Sequence, residues 1–139
     1  MEAVAKLKSV PMSARKMRLV VDLIRGKNVE DALDILRFTK KEAAVWLDKL
    51  VLSAIANWED KLGGMENADD YDLYIKTIYA DDGTMLKRFQ PAPHGRAHRI
   101  RKRTCHVTLV VENATALKDG ADAGDAVEVE EVEDAAVEE

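Results

Sequence analysis

Apolar residues recur along this chain with two different periods, and the change of period divides it into elements. A short alternating stretch from Ala3 to Val10 predicts an edge strand, which Pro11 would close. Met17, Val20, Val21 and Ile24 then recur at helical spacing. Ser13 stands where an N-cap belongs and Gly26 where a helix stops, which predicts a helix to about Arg25. Asn28 can cap a second, shorter helix carrying Ala32, Leu33, Ile35 and Leu36. Thr39-Lys-Lys-Glu42 has the form of a capping box, predicting a long helix to about Leu62 that Gly63-Gly64 ends. Its apolar face would be Ala43, Leu47, Leu50, Val51, Ala54, Ile55 and Trp58. Met65 to Asp72 is acidic and reads as a surface loop.

Beyond that loop the period falls to two. Leu73, Ile75, Thr77 and Tyr79 alternate with Tyr74, Lys76 and Ile78, and Cys105 to Glu112 is rich in β-branched residues. Both predict strands. The order is strand, three helices, two strands: an α+β domain with helices on one face of a small antiparallel sheet.

Composition sharpens this picture in two places. The net charge of −5 conceals a division: all 21 Lys and Arg fall between Met1 and Lys118. That body carries 16 acids, for +5, whereas Asp119 to Glu139 holds ten acids and no base, for −10. The chain thus divides into a body, 1–113, and an acidic tail, 114–139, that the composition predicts to be disordered. No run approaches the roughly 18 apolar residues of a membrane span, and the N-terminus lacks the apolar centre of a secretory signal. Cys105 is the only cysteine, so no internal disulfide forms. These features point to a cytoplasmic protein without membrane contact.

The second place is the connection between the late strands. Gly83 to His106 holds seven Lys or Arg, all three histidines and no acid, with Pro91, Pro93 and Gly95 near its middle. Compact domains rarely carry a structureless loop of this length. A β-hairpin extended beyond the sheet, over about residues 78–106, fits better. With about 14 residues per arm it would project on the order of 45 Å. Like charges on an isolated ribbon repel, so a polyanion should support it, and arginine forks match phosphate geometry. The bland alternative, a solvated charge run in a disordered loop, is opposed by the missing acids and the strong flanking strands. A second basic group, Lys6, Lys8, Arg15, Lys16, Arg18, Arg25 and Lys27, would extend the same footprint.

Catalysis and metal binding find little footing. His94 and His98 are four apart, but on a ribbon that spacing does not create the shared face a helix would give, and no carboxylate or cysteine pair accompanies them. Asp81-Asp82-Gly83 reads as a turn, Trp46 and Trp58 as helix packing, and Met12, Met17 and the remaining methionines as packing residues. No cofactor is expected. A DNA-architectural protein with a proline-tipped β-ribbon remains the alternative from another class.

Ser13-Ala-Arg-Lys-Met-Arg-Leu-Val-Val-Asp-Leu-Ile-Arg-Gly-Lys27, Ala32-Leu-Asp-Ile-Leu36 and Ser53-Ala-Ile-Ala-Asn57 resemble the bacterial large-subunit ribosomal protein twenty-two family. So do Gly95-Arg96, Arg99, Lys102-Arg103 and His106-Val-Thr-Leu-Val110, in the same order; the resemblance spans about residues 2–113. It implies three helices on a three-stranded antiparallel sheet with one very long hairpin. It implies a structural, non-enzymatic role in the large ribosomal subunit, binding and organising ribosomal RNA during assembly. Its implied partners are large-subunit ribosomal RNA, neighbouring proteins and the nascent peptide, without homo-oligomerisation. RNA contacts are then expected at Lys6, Lys8, Ser13, Arg15, Lys16, Arg18, Arg25, Lys27, Lys87, Arg88, Arg96, His98, Arg99, Arg101, Lys102 and Arg103. Phe89, Gln90, Pro91, Ala92, Pro93, His94 and Gly95 would form a tip lining the exit tunnel. Many relatives have an arginine and a small residue where this chain has Ala92 and Pro93, and short members have no counterpart to the acidic tail.

Overall fold

A computed structural model describes residues 1–63 and 71–113. The elements run β1 (Glu2–Val10), α1 (Ala14–Ile24), α2 (Val29–Phe38), α3 (Glu42–Lys61), β2 (Leu73–Ala92) and β3 (Arg96–Asn113). The fold is α+β, as the periodicity predicts. The acidic tail, and all of the predicted surface loop but Tyr71 and Asp72, lie outside the described residues.

The three strands form one antiparallel sheet in the order β1-β3-β2, so the last strand is central. Alternate residues supply its core face, with one step of three at the Ile75–Thr77 register shift: Ala3 and Ala5 from β1, Ile75, Ile78 and Ala80 from β2, Cys105, Val107, Leu109 and Val111 from β3. Against it pack the predicted helical stripes, Met17, Val20, Val21 and Ile24 from α1 and Leu47, Leu50, Val51, Ala54 and Trp58 from α3. Leu36 and Ala32 of α2 close the cluster, with Leu33, Ile35 and Ile55 partly buried at its edge. Trp58 is buried edge-on to Tyr71 (ring centroids 4.9 Å apart) and Trp46 packs beside the core, so both serve helix packing. Met12 and Met17 also pack, while Met1 is exposed.

Helix α1 lies along the free edge of β2. Gly26, at φ +70°, turns the chain so that its N–H donates to the Ile75 carbonyl (3.2 Å). The Ile75 N–H donates in turn to the Lys27 carbonyl (2.9 Å). An edge that would otherwise offer unpaired backbone groups is covered.

Three local expectations need correction. Thr39 does not begin α3; its hydroxyl donates back to the Ile35 carbonyl (2.6 Å) at the end of α2, and Lys41 occupies the N-cap of α3. Ser13 and Asn28 do stand at N-caps, but neither side chain makes a capping hydrogen bond. Asp81-Asp82-Gly83 is not a turn. These residues continue β2, and the register shifts between Asp82 and Met85 in a β-bulge.

Candidate nucleic-acid interface

The long connection is a regular ladder. From Met85↔Arg103 to Ala92↔Arg96 every residue of β2 has a partner on β3. Pro93, His94 and Gly95 alone form the turn, with His94 at φ +62° and Gly95 at φ +69°. The expected apex was wider: Phe89 to Ala92 belong to the arm and face Arg99 to Arg96. The ribbon is also shorter than expected. Strand β1 accompanies β3 as far as Cys105, which pairs with Val10. Only 83–92 and 96–104 run free, so the projection is about 33 Å rather than 45 Å.

Directly opposed residues of an antiparallel pair share a face, so the register assigns each cation. Lys87, Arg99, Arg101 and Arg103 lie on one face with Met85, Phe89, Pro91 and Ala97. Arg88, Arg96 and Lys102 lie on the other with Leu86, Ile100, Gln90, His98 and Ala92. Lys87 stands opposite Arg101, a like-charge pair that weakens a hairpin. No ribbon cation forms an ion pair among the described residues. Phe89 is 78% exposed, a free aromatic ring amid guanidinium groups. Both faces are thus cationic and amphipathic, as suits an element enclosed by polyanion rather than laid against it.

The root of the ribbon is built by two irregularities that flank β3. Register also shifts in β1 between Leu7 and Val10, where Ser9 takes φ +58° and donates its N–H to His106 Nδ1 (2.9 Å). On the other side Thr104 donates its hydroxyl to the Thr84 carbonyl (2.7 Å). Gly83 allows this approach: a Cβ there would fall 2.5 Å from Thr104 Oγ1 and 3.1 Å from His106 Nε2. These root residues escaped the sequence reading, although a glycine inside a strand pattern is a signal for a bulge.

The structure divides the basic residues predicted around β1 and α1. Lys16 joins Ser13, Met12, Pro11, Leu86, Arg101, Lys102, Arg103, Thr104 and Glu42 around a groove of about 560 Å³ at the ribbon's root. Arg15 is exposed on the same helix. Lys6 and Lys8 line a smaller hollow with His106 and Thr108. Arg18 and Arg25 reach backbone carbonyls of the sheet. Arg18 donates from Nε (3.0 Å) and Nη2 (2.9 Å) to the Ala80 carbonyl. Arg25 reaches the Ile78 carbonyl (3.4 Å) while paired with Asp22 (2.8 Å). Both satisfy edge carbonyls of β2, and Arg25 and Lys27 lie at the end of α1 remote from the root.

Groups suited to other chemistry are few. No group of three or more His, Cys, Asp or Glu among the described residues could hold a metal ion. No described helix is long and apolar enough to cross a membrane. Burial, aided by the Asp82 carboxylate, pushes the Cys105 thiol up from its ordinary value and makes it a poor nucleophile.

Residues 5–112 match the family described as ribosomal protein L22p/L17e. The chain is 60% identical over 109 residues to the large ribosomal subunit protein uL22 of Flavobacterium psychrophilum, covering 78% of this chain and 79% of that one. Its counterpart in Christiangramia forsetii is 58% identical (78% of this chain, 80% of the relative), and that of Bacteroides fragilis 53% identical (78% and 79%).

Proposed function

Since the chain belongs to the ribosomal protein L22p/L17e family and is a non-enzymatic, structural constituent of the large ribosomal subunit, in bacteria a cytoplasmic particle, we propose that its β2–β3 ribbon and the groove at its root are the parts that grip large-subunit ribosomal RNA. The observation that carries this reading is the distribution of seven Lys and Arg over both faces of the ribbon, without an acidic partner among the described residues. Each cation that neutralises a phosphate releases a counterion, which supplies affinity without base sequence. Phe89, His94 and His98 can stack on bases opened from the helical stack. The groove adds Lys16 beside Arg101–Arg103, so that body and ribbon would clasp one backbone.

Body residues 1–113 form the RNA-binding unit in this reading, acting as a single copy beside neighbouring subunit proteins. Arg18 and Arg25 hold α1 on the sheet and contribute to RNA only indirectly. The turn Pro93-His94-Gly95, at the far end of the projection, is the segment that meets the nascent peptide; Phe89 to Ala92 serve as its stem. The DNA-architectural alternative has no support from the relatives.

A photo-crosslinking residue at His94, in ribosomes stalled on a labelled nascent chain, tests the tip. The expected result is a crosslink to the peptide from position 94 and to ribosomal RNA from position 99. Peptide crosslinks from position 49 on α3 instead would overturn the assignment.

A further inference from the structure

We propose that in the free protein the acidic tail, residues 119–139, occupies the basic groove at the ribbon's root and must leave before RNA enters. The inference rests on the reading of that groove as an RNA site. It adds a competitor carried on the same chain.

The geometry of the tail's origin argues for a distant docking place. β3 ends at Asn113, at the end of the sheet opposite the ribbon. Its side chain accepts a hydrogen bond from the N-terminal amine (3.0 Å), and Glu2 and Glu112 are paired beside it. Two cations at this end are engaged. Lys76 bridges Glu2 and Glu112, and Lys61 donates to the Glu2 carbonyl (2.7 Å). The acids begin at Asp119, six residues beyond Asn113, and the carboxylates of Glu2 and Glu112 oppose their return to this end.

At the other end Lys16, Arg101, Lys102 and Arg103 line one groove, and none has an ion pair among the described residues. Glu42 on the rim pairs with none of them. From Asn113 back to Lys102 is eleven residues of β3, about 36 Å. The 26 residues beyond Asn113 span up to roughly 88 Å extended, and as a coil would average about 28 Å end to end. The ten carboxylates of 119–139 are therefore within reach of the groove, at an effective concentration on the order of millimolar. Even weak docking, with a dissociation constant of about 0.1 mM, would leave roughly one molecule in ten open. Apparent RNA affinity would fall about tenfold.

Three full-length or near full-length proteins separate the outcomes: the native chain, a chain ending at Lys118, and a chain with every acid from 119 to 139 replaced by its amide. Binding to deproteinised large-subunit ribosomal RNA at low salt should be about tenfold tighter for both altered chains than for the native one. The gain should vanish at high salt. Carbodiimide coupling, which joins carboxylates to nearby lysines, should link the native tail mainly to Lys16 and Lys102, and RNA should suppress those links. Links confined to Lys61 and Lys76 near the tail's origin, or equal affinity of all three proteins, would overturn the proposal. Failure of all three to bind RNA would instead overturn the RNA reading on which it rests.

Discussion

Arg18 distinguishes a structural cation from an RNA contact, because its two possible roles predict opposite results in two assays. Its guanidinium donates twice to the Ala80 carbonyl, an acceptor on the free edge of β2 that no strand satisfies. In Arg18→Met the aliphatic stem remains but both donors are lost. A hydrogen bond from a charged group contributes about 1.5–3 kcal/mol. The site is only partly buried, and water can reach an abandoned carbonyl, so the low end applies: about 1.5 kcal/mol. With a urea dependence of about 2 kcal/mol per molar, the unfolding midpoint should fall by about 0.75 M. The slope of log affinity for ribosomal RNA against log salt should hardly change, because no phosphate contact is lost. A midpoint unmoved together with a slope reduced by about one unit would refute the structural assignment and return Arg18 to the RNA footprint.

Three further outcomes are expected. Gly83→Ala forces a Cβ onto Thr104 Oγ1 and the Thr104 backbone, and should cost about 1–3 kcal/mol in thermal unfolding, with faster hydrogen exchange around Thr104 and Met85. Stability should fall on acidification through the Glu112 network: the Tyr74 hydroxyl (2.8 Å) and Lys76 hold the Glu112 carboxyl below its ordinary value, so its contribution is present above the unfolded carboxylate range and lost as pH falls through the lowered folded value. Lys76, raised by Glu2 and Glu112, acts with the opposite sign, its contribution lost only at strongly alkaline pH; Glu112→Gln should flatten the acid limb measured by urea unfolding across pH. Gly95→Ala should open the turn, because φ +69° costs a side chain about 1 kcal/mol, and exchange should quicken at Phe89–Arg99 while the core remains protected.

Local pattern carried most of the fold because most of the signals are local. Met17, Val20, Val21 and Ile24 have one place to go once their spacing makes a helix, and the β-branched run after Cys105 behaves likewise. Thr39 misled because a threonine hydroxyl can open one helix or close another, and the choice depends on Ile35 four residues back. The ribbon's reach was overestimated since it depends on how far β1 follows β3, a pairing of residues about a hundred positions apart. The candidate site was legible as charge, not as arrangement. Acid-free composition marked the ribbon, but only the register distributes Lys87 and Arg88 to opposite faces. The contacts that Arg18 and Arg25 make with edge carbonyls were not legible for the same reason: their acceptors are 62 and 53 residues away, and nothing near them in sequence announces an edge carbonyl.

The most direct test of the central claim replaces Arg99, Arg101 and Arg103 together by alanine and measures binding to large-subunit ribosomal RNA across salt concentrations. All three cations lie on one ribbon face, outside the core. The altered protein should unfold at nearly the native midpoint, while its salt slope falls by about two to three units and low-salt affinity drops at least a hundredfold. An unchanged slope in a folded protein would contradict the ribbon as the element that grips RNA.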